Sequence, residues 1–410
     1  MGKLFFVFLL GIGLLGCQKE SQQPIFLVLP EDMNAKANPL DGSVTLAWQP
    51  YANWLHRTSV IGTPIIVGLL RVEVFQSVGD TTRFELISTL AGNATTLTVP
   101  NLPNGELHYF KVIGYLPDNA KGKSSIVEVV ATVPNHLAEP QMVLKADFFR
   151  YSTLLHYFKS YAIAPDYRRI ALNYVTSTGS IVHSLWLYDP EKRTTTFARD
   201  QGYLPAWSPS GAQIATAGGS DGPLNVYEIS DGTSRVLTSV PYLRTLLWSP
   251  DGGWLAYHSL SWQEGRKIQQ ISANGTVKRT GQLSNDQATV VDFAYSPSGG
   301  KLWVIARSRS PDKAQILQLD ADGGNERVMG EFRGNFTDIT LLSEDVLLVV
   351  NDWAGYPALW QWDLSIRRWT QLSDQRVANP EQLQWNPVQR TVTFVAWLKE
   401  GGKTIMALPG

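Results

Sequence analysis

Apolar and polar positions recur in one fixed order through the last two thirds of the chain. Residues 246–259 read L-L-W-S-P-D-G-G-W-L-A-Y-H-S: an apolar run to Trp248, a polar turn at Ser249-Pro250-Asp251-Gly252, and a second apolar run from Trp254. Proline presets one turn angle and glycine supplies the positive one, so the stretch predicts two short strands joined tightly. Variants stand at 161–175 (Y-A-I-A-P-D-Y-R-R-I-A-L-N-Y-V), 205–218, 293–307 and 383–397, with a degenerate, proline-free copy at 339–352. The anchors Pro165, Pro209, Pro250, Pro297, Ser343 and Pro387 lie 44, 41, 47, 46 and 44 residues apart. Short strands and turns at that period predict propeller blades, and six anchors predict six of them.

The W-S-P-D-G box followed by an apolar strand resembles the repeat of TolB-like propellers, over residues 140–410. That resemblance implies a six-bladed β-propeller and, because such propellers act as envelope scaffolds, a binding role. The repeat serves many functions, so it speaks to fold and not to activity. After 383–397 only 403–408 remains, enough for a third strand and no fourth. A propeller must close its ring, so 142–146 is expected to supply the outer strand of the sixth blade.

Residues 24–134 lack the box and alternate differently. Val44, Leu46 and Trp48 fall on one face of a strand, 70–75 (L-R-V-E-V-F) alternates again, and 96–99 and 107–112 follow. Short strands at this spacing predict a β-sandwich, making the whole chain all-β. A Trp strand, an R-V-E-V strand and a Leu-Pro corner before an aromatic strand resemble a fibronectin type III module. The position that the resemblance gives to a corner tyrosine falls on His108, with Tyr109 one place late; a one-residue slip turns a strand's side chains over. Residues 52–63, with Trp54, His56 and Arg57, look like an insert, either a contact surface or a cover for the sheet edge. Residues 135–140 form a short linker, and the two units are expected to unfold separately.

Residues 1–17 read as an address. Lys3 is a minimal basic start and 4–15 an apolar run of signal-peptide length. Leu14-Leu15-Gly16-Cys17 resembles a bacterial lipobox, which implies lipidation of Cys17 and a membrane anchor. Cys17 is the one cysteine, so no disulfide supports the fold. Gln18 follows it, and the absence of an aspartate there resembles outer-membrane sorting. Residues 18–23 are a polar tether. Lys and Arg (35) nearly cancel Asp and Glu (36), which argues against nucleic acid as a partner.

Catalytic motifs are missing: there is no G-x-S-x-G, H-E-x-x-H or phosphate loop. The six histidines are scattered without metal-ligand spacing, and neither a metal nor a cofactor is expected. Residues 320–325 (D-A-D-G-G-N) read as a hairpin turn rather than a calcium loop. The boxes crowd one rim, and the loops of the opposite rim, beside the channel, carry Tyr203, Tyr242, Trp262, Arg307, Arg309, Trp353 and Tyr356. Aromatics with neighbouring arginines suit an interface or a sugar platform; packing against neighbouring blades is the competing account. Trp207, Trp248, Trp303, Trp360 and Trp385 sit in strands and are expected in the core. The expectation is a lipid-anchored envelope protein that binds an envelope partner, with surface glycan binding or cleavage as the alternative. A deep central pocket with converging carboxylates would favour an enzyme, and a shallow aromatic patch a binder.

Overall fold

The computed structural model describes residues 33–409 except 41, 50–55, 59–63, 67–68, 80–82, 116–124, 131–140, 146–155, 178–180, 220, 261–264, 309–312, 374–376, 387–388 and 398–402. Cys17, Trp54, Trp262 and Arg309 lie outside the described residues. The box works as its residue types require. Ser249 N donates to Trp254 O (2.8 Å), Gly252 N closes the turn on Ser249 O (2.9 Å), and the Ser249 hydroxyl accepts the Trp254 N–H (2.9 Å). Gly252 sits at φ 73°, a left-handed angle that a β-carbon resists. Ser208 and Ser296 make the same hydroxyl bond to Gln213 N (3.0 Å) and Lys301 N (3.2 Å). The box tryptophans link blades: Trp207 Nε1 donates to Ala162 O and Trp248 Nε1 to Ala206 O, both at 3.0 Å.

Six four-stranded antiparallel sheets follow one another from residue 156. The innermost strands of blades 1 to 6 are His156–Ile163, Tyr203–Trp207, Leu243–Trp248, Ala288–Tyr295, Asp338–Ser343 and Ala378–Asn386. The fourth strand of blade 6 comes from upstream of blade 1. Gln141–Lys145 pairs antiparallel with the last strand, Lys403–Pro409, and Thr404 Oγ1 donates to Leu144 O at 2.6 Å. The ring therefore closes as its edge chemistry demands.

The N-terminal strands are β1 (Lys36–Leu40), β2 (Ser43–Ala47), β3 (His56–Thr58), β4 (Pro64–Ile66), β5 (Arg71–Val78), β6 (Glu85–Ala91), β7 (Thr96–Pro100), β8 (Leu107–Tyr115) and β9 (Ser125–Val130). They form the sheets β1-β2-β7 and β6-β5-β8-β9, with β3-β4 a two-stranded pair whose first strand lies in the expected insert and whose second follows it. Val44, Leu46 and Trp48 of one sheet share a core with Val72, Val74, Phe110 and Val112 of the other. Strand β8 is buried along both faces. Phe110 and Val112 face this core, whereas Leu107 and Tyr109 join the cluster of blades 4 and 5 with Phe332, Trp362 and Trp369. The one-residue shift seen in the sequence thus turns the tyrosine into the propeller. His108 takes the inner position, its Nδ1 2.8 Å from Gln76 Nε2.

Backbone and charge join the two units as well. Gln371 N donates to Gly105 O (2.9 Å), and Arg368 Nε meets Glu106 Oε1 (2.7 Å). The His108 imidazole, its Nε2 3.2 Å from Glu106 Oε2, and then the Arg368 charge hold the Glu106 carboxyl below its usual range against the opposing effect of burial. At Gly79 an added β-carbon would meet Arg367 O at 2.1 Å, so only glycine admits the approach. The two units therefore share a packed, hydrogen-bonded interface.

Candidate functional site

An innermost propeller strand is an edge, with backbone N–H and C=O groups unpaired on the channel side. Left dry, each such group is costly, so polar side chains of adjacent blades are recruited to it. Asp292 Oδ2 accepts the Ile339 N–H (3.1 Å) and Asp338 Oδ1 the Gln382 N–H (2.6 Å). Gln382 Nε2 donates to Lys159 O (2.9 Å), while Gln384 accepts Ile163 N (2.9 Å) and donates to Tyr161 O (2.9 Å). Thr245 Oγ1 donates to Asp292 Oδ1 at 2.8 Å.

The six innermost strands enclose a cavity of about 530 Å³, within the range of small-ligand sites. Five of them carry a β-bulge at the level of these polar groups: blades 1, 2, 3, 4 and 6. A bulge inserts one residue and re-aims its side chain. Leu204 and Gln382 there adopt positive φ, 47° and 59°, a conformation that costs a non-glycine residue about 1–3 kcal/mol.

Counting back five residues from each anchor gives Ser160, Leu204, Thr245, Asp292, Asp338 and Gln382; six back gives Lys159, Tyr203, Arg244, Val291, Thr337 and Glu381. All but Val291 line the cavity or its mouth. Basic groups come from blades 1 and 3, carboxylates from blades 4, 5 and 6. Burial in the channel, reinforced by the neighbouring Asp338 charge, pushes the Asp292 carboxyl up to about 7. Asp338 is raised too, chiefly by burial, with Arg244 and its hydrogen bonds pulling the other way. Burial, then the nearby Lys159 charge, lowers the His183 imidazole. Tyr161, bonded to Gln382 O (3.1 Å) and Thr393 Oγ1 (3.1 Å), is held far above the ordinary phenol range by burial.

The structure divides the predicted residues. Tyr203 lies at the channel mouth, its ring 4.9 Å from His183 and 4.9 Å from the Lys159 ammonium. Tyr242 is 55% exposed, with its N–H on Asp221 Oδ1 at 2.7 Å. Arg307 is exposed and donates to the Asn335 side chain and to Phe336 O (3.1 Å). Trp353 donates from Nε1 to Arg333 O (2.6 Å) and packs edge-on against Phe332, Phe336, Trp360 and Trp369. The Tyr356 hydroxyl accepts from Gln371 Nε2 at 3.1 Å. Trp353 and Tyr356 pack against the cluster of blades 4 and 5. Trp207, Trp248, Trp303 and Trp360 are core as expected, and Trp385 is partly buried.

Reading for motifs missed Arg244, Asp292, Asp338 and Gln382. The signal for Asp292, Asp338 and Gln382 was positional: with the boxes aligned, the place five residues ahead is polar in every blade except that of Leu204, and Arg244 stands one place earlier in its blade. Among the described residues, no group of three or more His, Cys, Asp or Glu side chains is placed to hold a metal ion.

No protein-family model matches the chain, and no curated protein matches it. Among solved structures it is similar to TolB from Acinetobacter baumannii: 16% identity, 75% of this chain, 77% of that one, TM-score 0.45. It is similar also to an oligogalacturonate lyase in complex with manganese (8% identity, 94% and 96% covered, TM-score 0.49). A third is the β-propeller domain of the Trilobed protease from Pyrococcus furiosus (11%, 63% and 95%, TM-score 0.43). The assignment of this chain as a six-bladed all-β propeller stands on its own strand order and ring closure.

Proposed function

We propose that the chain is a lipid-anchored envelope protein that works by binding, with a fibronectin type III-like unit carrying a propeller whose channel mouth is the recognition face. One observation carries the binding reading. Five of six innermost strands are bulged at one level, and backbone strain is held there at Leu204 and Gln382. Bulges and strain persist where the surroundings over-determine them, and they cluster at sites of recognition. Support for the fibronectin-like unit is the pairing of a three-stranded with a four-stranded sheet around one core. Support for the anchor is the apolar run that ends at Cys17.

A photo-crosslinking residue tests the face. Placed at Tyr242, which is exposed and directly precedes Leu243 of the cavity wall, it captures an envelope partner; placed at Val236, 65% exposed on an outer blade strand, it does not. Equal capture at both positions, or none at either, refutes the reading. For the anchor, Cys17→Ala abolishes incorporation of a palmitate analogue, and label retained by the variant refutes it.

A second reading, glycan cleavage, draws on the Asp292 and Asp338 carboxyls, raised on adjacent blades around one cavity. A raised carboxyl suits a general acid. Both Asp292 oxygens and one of Asp338 already accept hydrogen bonds from neighbouring strands, which holds the pair in place as acceptors, with lone pairs to spare, rather than as a proton donor aimed at a leaving group. Binding is therefore the better account, and absence of new reducing ends from envelope polysaccharide is the expected assay result.

A further inference from the structure

We propose that the channel mouth binds a short peptide with free ends, its carboxylate held by Arg244 and its ammonium by the Asp292–Asp338 pair. The inference rests on the binding reading above and names the ligand class of that same site. Charge is segregated around the ring. Arg244 belongs to blade 3, while Asp292, Asp338 and Glu381 belong to blades 4, 5 and 6. A ligand with one sign of charge would be repelled by half of this mouth; a zwitterion lying across it meets its complement at both ends. Arg244 is exposed, and its hydrogen bond to Val291 O is long, 3.4 Å from Nε. Its forked terminal nitrogens suit a carboxylate, which they can take in bidentate fashion.

Between the two ends, the wall itself calls for amide groups. Ser160 and Gln382 are among the residues that line the cavity; their Oγ and Oε1 atoms are buried and have no hydrogen-bond partner among the described residues, and Ser160 is 2% exposed. A buried polar atom without a partner is costly. The Ser160 hydroxyl can donate to a peptide carbonyl, and the Gln382 oxygen can accept a peptide N–H. A free amino acid brings neither, which favours a peptide.

The carboxyl pair makes binding proton-linked. Two carboxyls that share a dry site hold a proton between them. An ammonium arriving there favours both charged forms, so the proton leaves to solvent. The charged and titratable groups facing the pair are Arg244 and Glu381 at the rim and Tyr161 and Lys159 on blade 1; Thr245 and Thr337 add hydroxyls.

The test is isothermal titration of the full chain at pH 7, in two buffers of different ionisation enthalpy. The probes are trialanine, its N-acetyl form, its C-terminal amide and free alanine. Trialanine is expected to bind with proton release, and each blocked form to bind at least tenfold more weakly. Arg244→Ala makes the protein indifferent to amidation. Asp338→Asn makes it indifferent to acetylation while keeping an oxygen for Gln382 N, and circular dichroism shows both variants folded as the parent is. No binding of trialanine, or equal binding of the blocked forms, overturns the proposal; equal binding of alanine overturns the peptide assignment. If trialanine fails while crosslinking at Tyr242 still captures a partner, the peptide inference falls and the binding reading stands.

Discussion

At the scale of the residue, the channel carboxylates work as both structural and electrostatic groups. Asp292 receives hydrogen bonds from blade 3 and blade 5 and so links three blades with one side chain. Its carboxyl is raised to about 7 by burial and by Asp338, whereas in the unfolded chain it titrates near the ordinary value of about 3.9. Between about pH 4 and pH 7 the folded state then binds more protons than the unfolded one. Stability attributable to this group is full below about pH 4 and falls as pH rises through that window. Asp292→Asn keeps the acceptor for Ile339 N and removes the titration. Chemical denaturation at intervals across pH 4–7 should show a flatter stability profile for the variant than for the parent; parallel profiles would refute the assignment.

At the scale of the element, the blade without a proline box shows how packing replaces turn chemistry. Blade 5 has Ser343-Glu344-Asp345 where every other blade carries a proline, followed by glycine in blades 2, 3 and 4. Around it gathers the densest aromatic cluster of the described chain: Phe332, Phe336, Trp353, Trp360, Trp362 and Trp369, with Trp362 and Trp369 stacked 5.0 Å apart. Trp353 bridges several of these rings and caps the Arg333 carbonyl. Cutting Trp353 to Ala should cost about 3 kcal/mol or more and lower the melting temperature by several degrees. Differential scanning calorimetry decides this; a variant that melts with the parent would return Trp353 to the roll of exposed recognition groups.

At the scale of the whole molecule, β8 is the shared member. One face closes the N-terminal core and the other, through Leu107 and Tyr109, closes the cluster of blades 4 and 5. Ring closure is a second long-range dependence, because Gln141–Lys145 lies upstream of blade 1 yet completes blade 6. Deleting residues 1–135 strips the Leu107 and Tyr109 side chains from the cluster and should leave a folded propeller of lower melting temperature than the full chain. Deleting 1–145 also removes the closing strand and should prevent cooperative melting altogether. Equal melting of the two truncations would refute the closure; a 1–135 deletion melting with the parent would refute the interface.

Period and turn chemistry sufficed to read the blades from the sequence, because the anchor turn and its flanking alternation are local and recur at a near-constant spacing, in the full S-P-x-G form at Ser208, Ser249 and Ser296. The missing fourth strand of blade 6 was legible for the same reason: an edge left open by local counting has to be covered by something. The alternation of Val44, Leu46 and Trp48 likewise marked a buried face without any knowledge of the opposite sheet. What only the tertiary structure decided was which residues meet across blades. Asp292 and Asp338 are 46 residues apart in sequence, and nothing local sets them apart from surface aspartates. Only closure of the ring brings them onto one channel, dries them and raises their pKa values. Tyr109 is the parallel case: its offset was visible in the sequence, but its partner was not, because a side chain turned away from its own core can face water or another domain. Tertiary packing alone settles which.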